Sequence, residues 1–237
     1  MTGKKRLIPL TFLIGALLAG GCGMFDKGQS ASGARLDEIE RTPAEEEKAK
    51  LLKQIDRKFE DPQAHFELGQ LYHSDGLWAQ AEYEYNAALN CDPAHRPAQA
   101  AMVKVLTDSG DTAKAEIYTD IYMNQVASSA AESLKLAIAF QRQGMDDYAL
   151  ACYRQALRRA PNSAKINRQI GYYYLSKQDK VQAREYLTRS FQLNPNQPEV
   201  AGELGRLGVA VQIPRKAPES GKKLDRIVEQ SEKEAGP

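Results

Sequence analysis

Four alanines stand 34 residues apart, at Ala81, Ala115, Ala149 and Ala183. Gly76, Gly110 and Gly144 keep the same spacing, with Gln178 in the fourth place. Pro93, Pro161 and Pro195 keep it too, with Ala127 filling the gap. Three residue classes locked to one period mark a chain of repeated supersecondary units, each burying its apolar face by stacking on the next. Within a unit, apolar residues recur at three and four, as on one face of a helix. Phe66, Leu68, Leu71 and Tyr72 do so in one segment, and Ala81, Tyr85, Ala88 and Leu89 in the next. Small residues at Gly69, Ala137 and Gly171, with the recurring alanine opposite, let two such helices approach closely. The glycine between them supplies the positive φ that ends a helix, and the proline stops the second one.

The period and these residues together resemble the tetratricopeptide repeat, a helix–turn–helix unit. In the first copy Leu68-Gly69, Tyr72, Ala81, Tyr85, Ala88 and Pro93 match its pattern, with His65 in place of its Trp. In the third, Leu136, Phe140, Ala149, Tyr153, Ala156 and Pro161 match, with Ala137 for Gly. In the fourth, Ile170-Gly171, Tyr174, Ala183 and Pro195 match, with Leu187 for the aromatic. The second copy keeps Leu106 and Ala115 but departs at Val103, Thr119 and Ala127, so it reads as degenerate. The resemblance covers 62–197, as copies 62–95, 96–129, 130–163 and 164–197, and implies an all-α, right-handed α-solenoid. The phase runs on at both ends. Leu51 lies 34 before Tyr85 and joins Leu52, Ile55 and Phe59 in a stripe over 43–58, opened by the capping box Thr42-Pro43-Ala44-Glu45. This makes 43–61 an N-terminal capping helix. Leu204-Gly205, in phase with Ile170-Gly171, makes 198–213 a C-terminal one, for about ten helices. Val209, Val211 and Ile213 alternate like a strand with no sheet to join, and are expected to run extended along the solenoid. Residues 214–237 read as a linker and then either a weak amphipathic helix on Leu224, Ile227 and Val228 or a disordered tail.

The N-terminus carries an address. Lys4-Lys5-Arg6 precedes a mostly apolar run from Leu7 to Gly21, too short to span a bilayer. It ends in Leu17-Leu18-Ala19-Gly20-Gly21-Cys22, which resembles the lipobox of bacterial lipoproteins, with Ala19 where the box has Leu. The resemblance implies a signal peptide over 1–21 that is cleaved, and a palmitate-bearing Cys22 as first mature residue. The alternative is a conventional signal peptide with Cys22 an incidental thiol. Cleavage leaves 29 basic against 31 acidic residues, a net −2. Gly23 rather than Asp after the cysteine implies the outer membrane rather than the inner one. The small, polar stretch after Cys22 reads as a flexible tether over 22–42. Together these place the chain in the cell envelope, facing the periplasm.

No catalytic constellation emerges. Lys and Arg number 32 against 31 Asp and Glu, which gives no sign of a nucleic-acid binder. Three histidines and three cysteines offer little for a metal, and His65 takes the place of a packed aromatic. Asp108-Ser109-Gly110-Asp111 lacks the spaced ligands of a calcium loop. Cys91 and Cys152 belong to different copies and are expected to be free thiols. No cofactor, metal or small-molecule substrate is expected. In the family resembled, the first helix of each pair lines a concave groove. By phase the groove residues are Phe66, Gln70 and His73; Lys104 and, one turn on, Thr107; Leu134, Ile138 and Gln141; Arg168, Tyr172 and Leu175. The carboxylate clamp of chaperone-binding members is replaced by Phe66, Gln70, Ala100 and Ala101. Such a groove suits an extended peptide or a partner helix, with apolar anchors for affinity and Arg168 for a carboxylate; a merely solvated face is the alternative. The resemblance implies a membrane-tethered protein-interaction scaffold, in the company of bacterial repeat lipoproteins that serve envelope, pilus and secretin assembly. An adaptor that recruits peptidoglycan enzymes is the second reading, and an enzyme with an unrecognised site the third.

Overall fold

The structure, a computed structural model, describes residues 42–211. The signal peptide, Cys22, most of the tether and the tail from 212 onwards lie outside the described residues. Ten helices and no strand occur among the described residues. They are α1 (Pro43–Arg57), α2 (Pro62–Ser74), α3 (Trp78–Cys91), α4 (Arg96–Asp108), α5 (Thr112–Gln125), α6 (Ala130–Arg142), α7 (Asp146–Arg159), α8 (Ala164–Ser176), α9 (Lys180–Leu193) and α10 (Pro198–Arg206). First helices therefore begin at 62, 96, 130, 164 and 198, in unbroken steps of 34.

Local chemistry explains these boundaries. Thr42 and Glu45 form the reciprocal capping box of α1. Asp61, His95, Ser129 and Ser163 cap the first helices α2, α4, α6 and α8 through their side chains. Gly76, Gly110 and Gly144 end the first helices with φ of 73°, 91° and 71°. Gln178 takes the same left-handed conformation at 61° without glycine's freedom, which costs an L-residue about 1 kcal/mol. Gln178→Gly is therefore expected to raise stability by about 0.5–1 kcal/mol, read as a higher urea midpoint at unchanged slope; an unchanged or lower midpoint would contradict this account of the turn. Asp111, in the segment weighed as a calcium loop, caps α5 through Lys114 N.

Packing follows the small–large pairing. A Cβ on Gly69 would lie 2.6 Å from Tyr85 Cε1, and one on Gly171 2.6 Å from Leu187 Cδ2. In the first and fourth copies the first helix thus closes on its partner over a position that admits no side chain, and in the third Ala137 is the small residue there. In the second copy Val103 and Thr119 occupy these places, and both are buried. Large and small have changed helices, and α4 and α5 approach each other less closely than the other pairs. What the sequence presents as decay is a partly compensated exchange of volume.

At the position of the family's Trp every copy carries a buried polar residue that fastens the preceding loop. His65 Nε2 donates to Phe59 O (2.9 Å), Gln99 Nε2 to Pro93 O (2.8 Å), Ser133 Oγ to Val126 O (2.9 Å) and Asn167 Nδ2 to Pro161 O (3.2 Å). Carbonyls that end one unit are thereby satisfied by the next, as buried backbone requires. His65 also holds Glu84 Oε2 at 2.6 Å through Nδ1. Cys91 and Cys152 are free, and burial pushes the Cys152 thiol up to about 12.

At the C-terminal end the alternating run is described only as far as Val211, and Ile213 lies outside the described residues. Helix α10 stops at Arg206, and Gly208 turns the chain at φ 76°. Val209 and Val211 then fold back onto Leu187, Phe191, Val200 and Leu204. Alternation there reflects packing against a helix end rather than a ladder.

Candidate partner-binding face

Two rows of side chains run across the first helices at steps of 34. Gln70, Lys104, Ile138 and Tyr172 form one row; His73, Thr107, Gln141 and Leu175 form the other. Gln70 and Thr107 are exposed and the other six are half-buried, so the rows reach solvent on one face. The N-terminal half of this face is polar. His73 Nε2 donates to Asp108 Oδ2 (3.0 Å), Lys104 binds the same carboxylate, and His73 Nδ1 lies 3.3 Å from the Tyr85 hydroxyl. Burial works against the Asp108 charge, but the hydrogen bonds from Lys104 and His73 hold its carboxyl below the usual carboxylate range. The C-terminal half is apolar, with Ile138 packed on the central core and Tyr172 and Leu175 on the cluster around Leu204.

Phe66 and Leu134 do not belong to this face. Phe66 is 7% exposed, its ring 5.1 Å from that of His95, and Leu134 is fully buried in the central core. Their shared position in the repeat points at the neighbouring unit, and large apolar side chains there fill the seam between units. Arg168 occupies the same position in the fourth copy. It is half-buried, and its Nη1 donates to Gln197 Oε1 at 3.1 Å, so it is already engaged at the start of α10. Tyr172 and Leu175 likewise carry part of the α10 packing, so this end of the patch is tied to the core. Asp108 was not legible as a member of the face; only its link to both Lys104 and His73 reveals it. Gln141 accepts from the Tyr153 hydroxyl at 2.5 Å, a tie between the face and the second helix of its own pair.

A family model described as tetratricopeptide repeat matches residues 49–96 and 134–198. The chain is a tetratricopeptide repeat protein. The stretch between the two matches is the pair α4–α5, where Val103 and Thr119 exchange the usual volumes. The match also enters α1, which takes the place of a second helix ahead of the first full repeat. Among curated proteins, this chain is 26% identical over 145 residues to the human Protein O-mannosyl-transferase TMTC1 (58% of this chain, 16% of that one). It is 28% identical over 153 residues to the Type IV pilus assembly protein PilF of Pseudomonas aeruginosa (61% of this chain, 58% of that one). The chain thus spans about a sixth of the first relative and somewhat over half of the second. A solved structure of Pseudomonas aeruginosa PilF is 25% identical, with a TM-score of 0.36, covering 62% of this chain and 67% of that one. Tetratricopeptide arrays are protein-interaction scaffolds.

Proposed function

We propose that this chain is a non-enzymatic scaffold, tethered by lipid on Cys22 to a membrane of the bacterial cell envelope, that seats an extended peptide or partner helix on its first-helix face. The observation that carries the reading is the pair of rows at 34-residue steps, polar from Gln70 to Asp108 and apolar from Ile138 to Leu175. A segment lying across the repeats meets donors and acceptors first and apolar anchors second. Pilus or secretion assembly is the process favoured, on the similarity to the pilus assembly protein PilF. The outer membrane is the favoured site because Gly23 follows the cysteine. The tether is supported by the cysteine placed where the apolar run of the leader stops.

The test uses the intact chain in its native envelope. Cys22→Ala is expected to abolish labelling by a palmitate analogue and to shift the protein from the membrane to the soluble fraction or to an uncleaved precursor. Equal labelling of both forms would overturn the tether. Proteins recovered with the wild-type chain from solubilised membranes are expected to be pilus or secretion components. Recovery of wall enzymes instead would reject that process and favour the adaptor reading.

A further inference from the structure

The second helices carry a charge division that the first-helix face does not use. Helices α3 and α5 hold four carboxylates, Glu82, Glu84, Glu116 and Asp120, against Lys114 alone. Helices α7 and α9 hold five arginines, Arg154, Arg158, Arg159, Arg184 and Arg189, and Lys180 against three carboxylates. All five arginines are exposed. Arg159 donates to Ala127 O (2.9 Å) and Arg189 to Asn162 Oδ1 (2.6 Å), fastening their helices to the turns before them. Arg154, Arg158 and Arg184 form no hydrogen bond or ion pair among the described residues. The two helices share one core: Tyr186 of α9 packs on the central cluster that Cys152, Tyr153 and Ala156 of α7 help to build. Arg158 and Arg159 rim a cleft with Asp120, Met123 and Asn124, and Arg184 and Arg189 rim another with Glu185, Thr188 and Gln192, so each cleft carries two arginines against one carboxylate.

We infer that the outer surface of α7 and α9 docks on anionic phospholipid headgroups. Guanidinium matches phosphate in a bidentate fork and is held in water less tightly than ammonium. Each basic residue near an anionic leaflet strengthens partitioning about fivefold. A protein partner is the less suitable occupant: interface cores are depleted of charge and built around apolar anchors, and Val181 is the one large apolar side chain well exposed on these two helices. On α3 and α5 Glu84 is buried against His65 and Glu82 pairs with Lys114, which leaves Glu116 and Asp120 exposed and no unpaired cation, so the leaflet favours the α7–α9 half of the array. The first helices form the other layer, so their rows stay open to a partner while the second helices meet lipid. The inference deepens the tethered reading: the lipid on Cys22 decides where the chain is held, and the arginines decide which side faces the bilayer.

The test separates the two by using the full mature chain with Cys22→Ser, which has no acyl group. Flotation with phosphatidylcholine vesicles and with vesicles containing phosphatidylglycerol is expected to show binding to the second only. Binding should fall steeply between about 0.1 M and 1 M salt, where the screening length drops from about 10 Å to about 3 Å. Arg154→Glu with Arg158→Glu and Arg184→Glu is expected to lower partitioning by about a hundredfold or more with unchanged helicity. Because these side chains have no hydrogen bond or ion pair to lose among the described residues, folding is expected to be unaffected, and circular dichroism checks it. Arg154→Lys with Arg158→Lys and Arg184→Lys should retain most of the binding. Absence of wild-type binding to anionic vesicles, or binding that the triple reversal leaves unchanged, would overturn the inference. So would self-association of the wild-type chain that the triple reversal abolishes in the absence of vesicle binding, which would assign the patch to a second copy. None of these outcomes bears on acylation of Cys22.

Discussion

Gly69→Val should lower the denaturation midpoint sharply, and combining it with Tyr85→Thr, itself strongly destabilising, should cost less than the sum of the two separate losses. The Tyr85 ring stands 2.6 Å from where a Cβ on Gly69 would be, and Glu84 Cβ 3.3 Å away. Tyr85 is 1% exposed and held by Phe66 and His73, so its ring has nowhere to go. Overpacking of this kind costs about 1–3 kcal/mol. Emptying the Tyr85 site leaves a cavity and costs about 3–5 kcal/mol, as for other large aromatic truncations. The double variant recreates what the second copy carries naturally at Val103 and Thr119, so the two losses should fall short of their sum by about 1–2 kcal/mol. The double variant should still be the least stable of the three, because α4 and α5 lie farther apart than α2 and α3 and the closer pair cannot fully adopt their packing. Strict additivity in urea unfolding would show that Gly69 and Tyr85 do not share one packing volume.

Partner binding is expected to fail in Arg168→Glu with Tyr172→Ala. A buried aromatic or arginine at the centre of an interface contributes about 2 kcal/mol or more, close to thirtyfold in affinity. Charge reversal adds repulsion where the partner offers a carboxylate. The structure attaches a stability cost to this variant. Arg168 loses its bond to Gln197, and Tyr172 loses its contact with the cluster of Leu187, Val200 and Leu204. A loss of about 1–2 kcal/mol, confined to the C-terminal end, should therefore accompany the loss of binding. Gln197→Ala serves as the control. It removes the partner of Arg168 and the buried bonds to Ser190 while leaving both groove side chains in place. Binding that survives Gln197→Ala but not the double variant assigns the effect to the face itself.

The register of 34 was legible in the sequence because each of its markers answers a separate physical demand. Ala81 and its equivalents sit where helices touch, Gly76, Gly110 and Gly144 where φ must be positive, and Pro93 and Pro161 where a helix must end. Those demands recur in every unit, so the pattern survives the loss of any one residue. The face was legible only in part. A position in the repeat says which helix a residue is on and roughly which way it points, but not what the next unit lays over it. Phe66 and Leu134 share a place with Arg168, yet the seam between units buries the first two and leaves the third half-open. The exchange at Val103 and Thr119 was hidden for the opposite reason: each residue breaks the pattern alone, and only their juxtaposition restores sense. The arginines of α7 and α9 were invisible to a search by repeat phase, since they sit at different places in the two units.

The central claim is that a partner lies on the first-helix face. A photo-crosslinking residue at position 138, in the middle of the rows, tests it most directly against one at position 117 on the outer side of α5, where Ile117 is 59% exposed. Irradiation in the native envelope is expected to give one dominant crosslinked species from position 138 and none of that mass from position 117. The same species should disappear when Arg168→Glu and Tyr172→Ala are added. A species trapped from position 117 but not from 138, or one trapped from 138 regardless of the added substitutions, would contradict the claim.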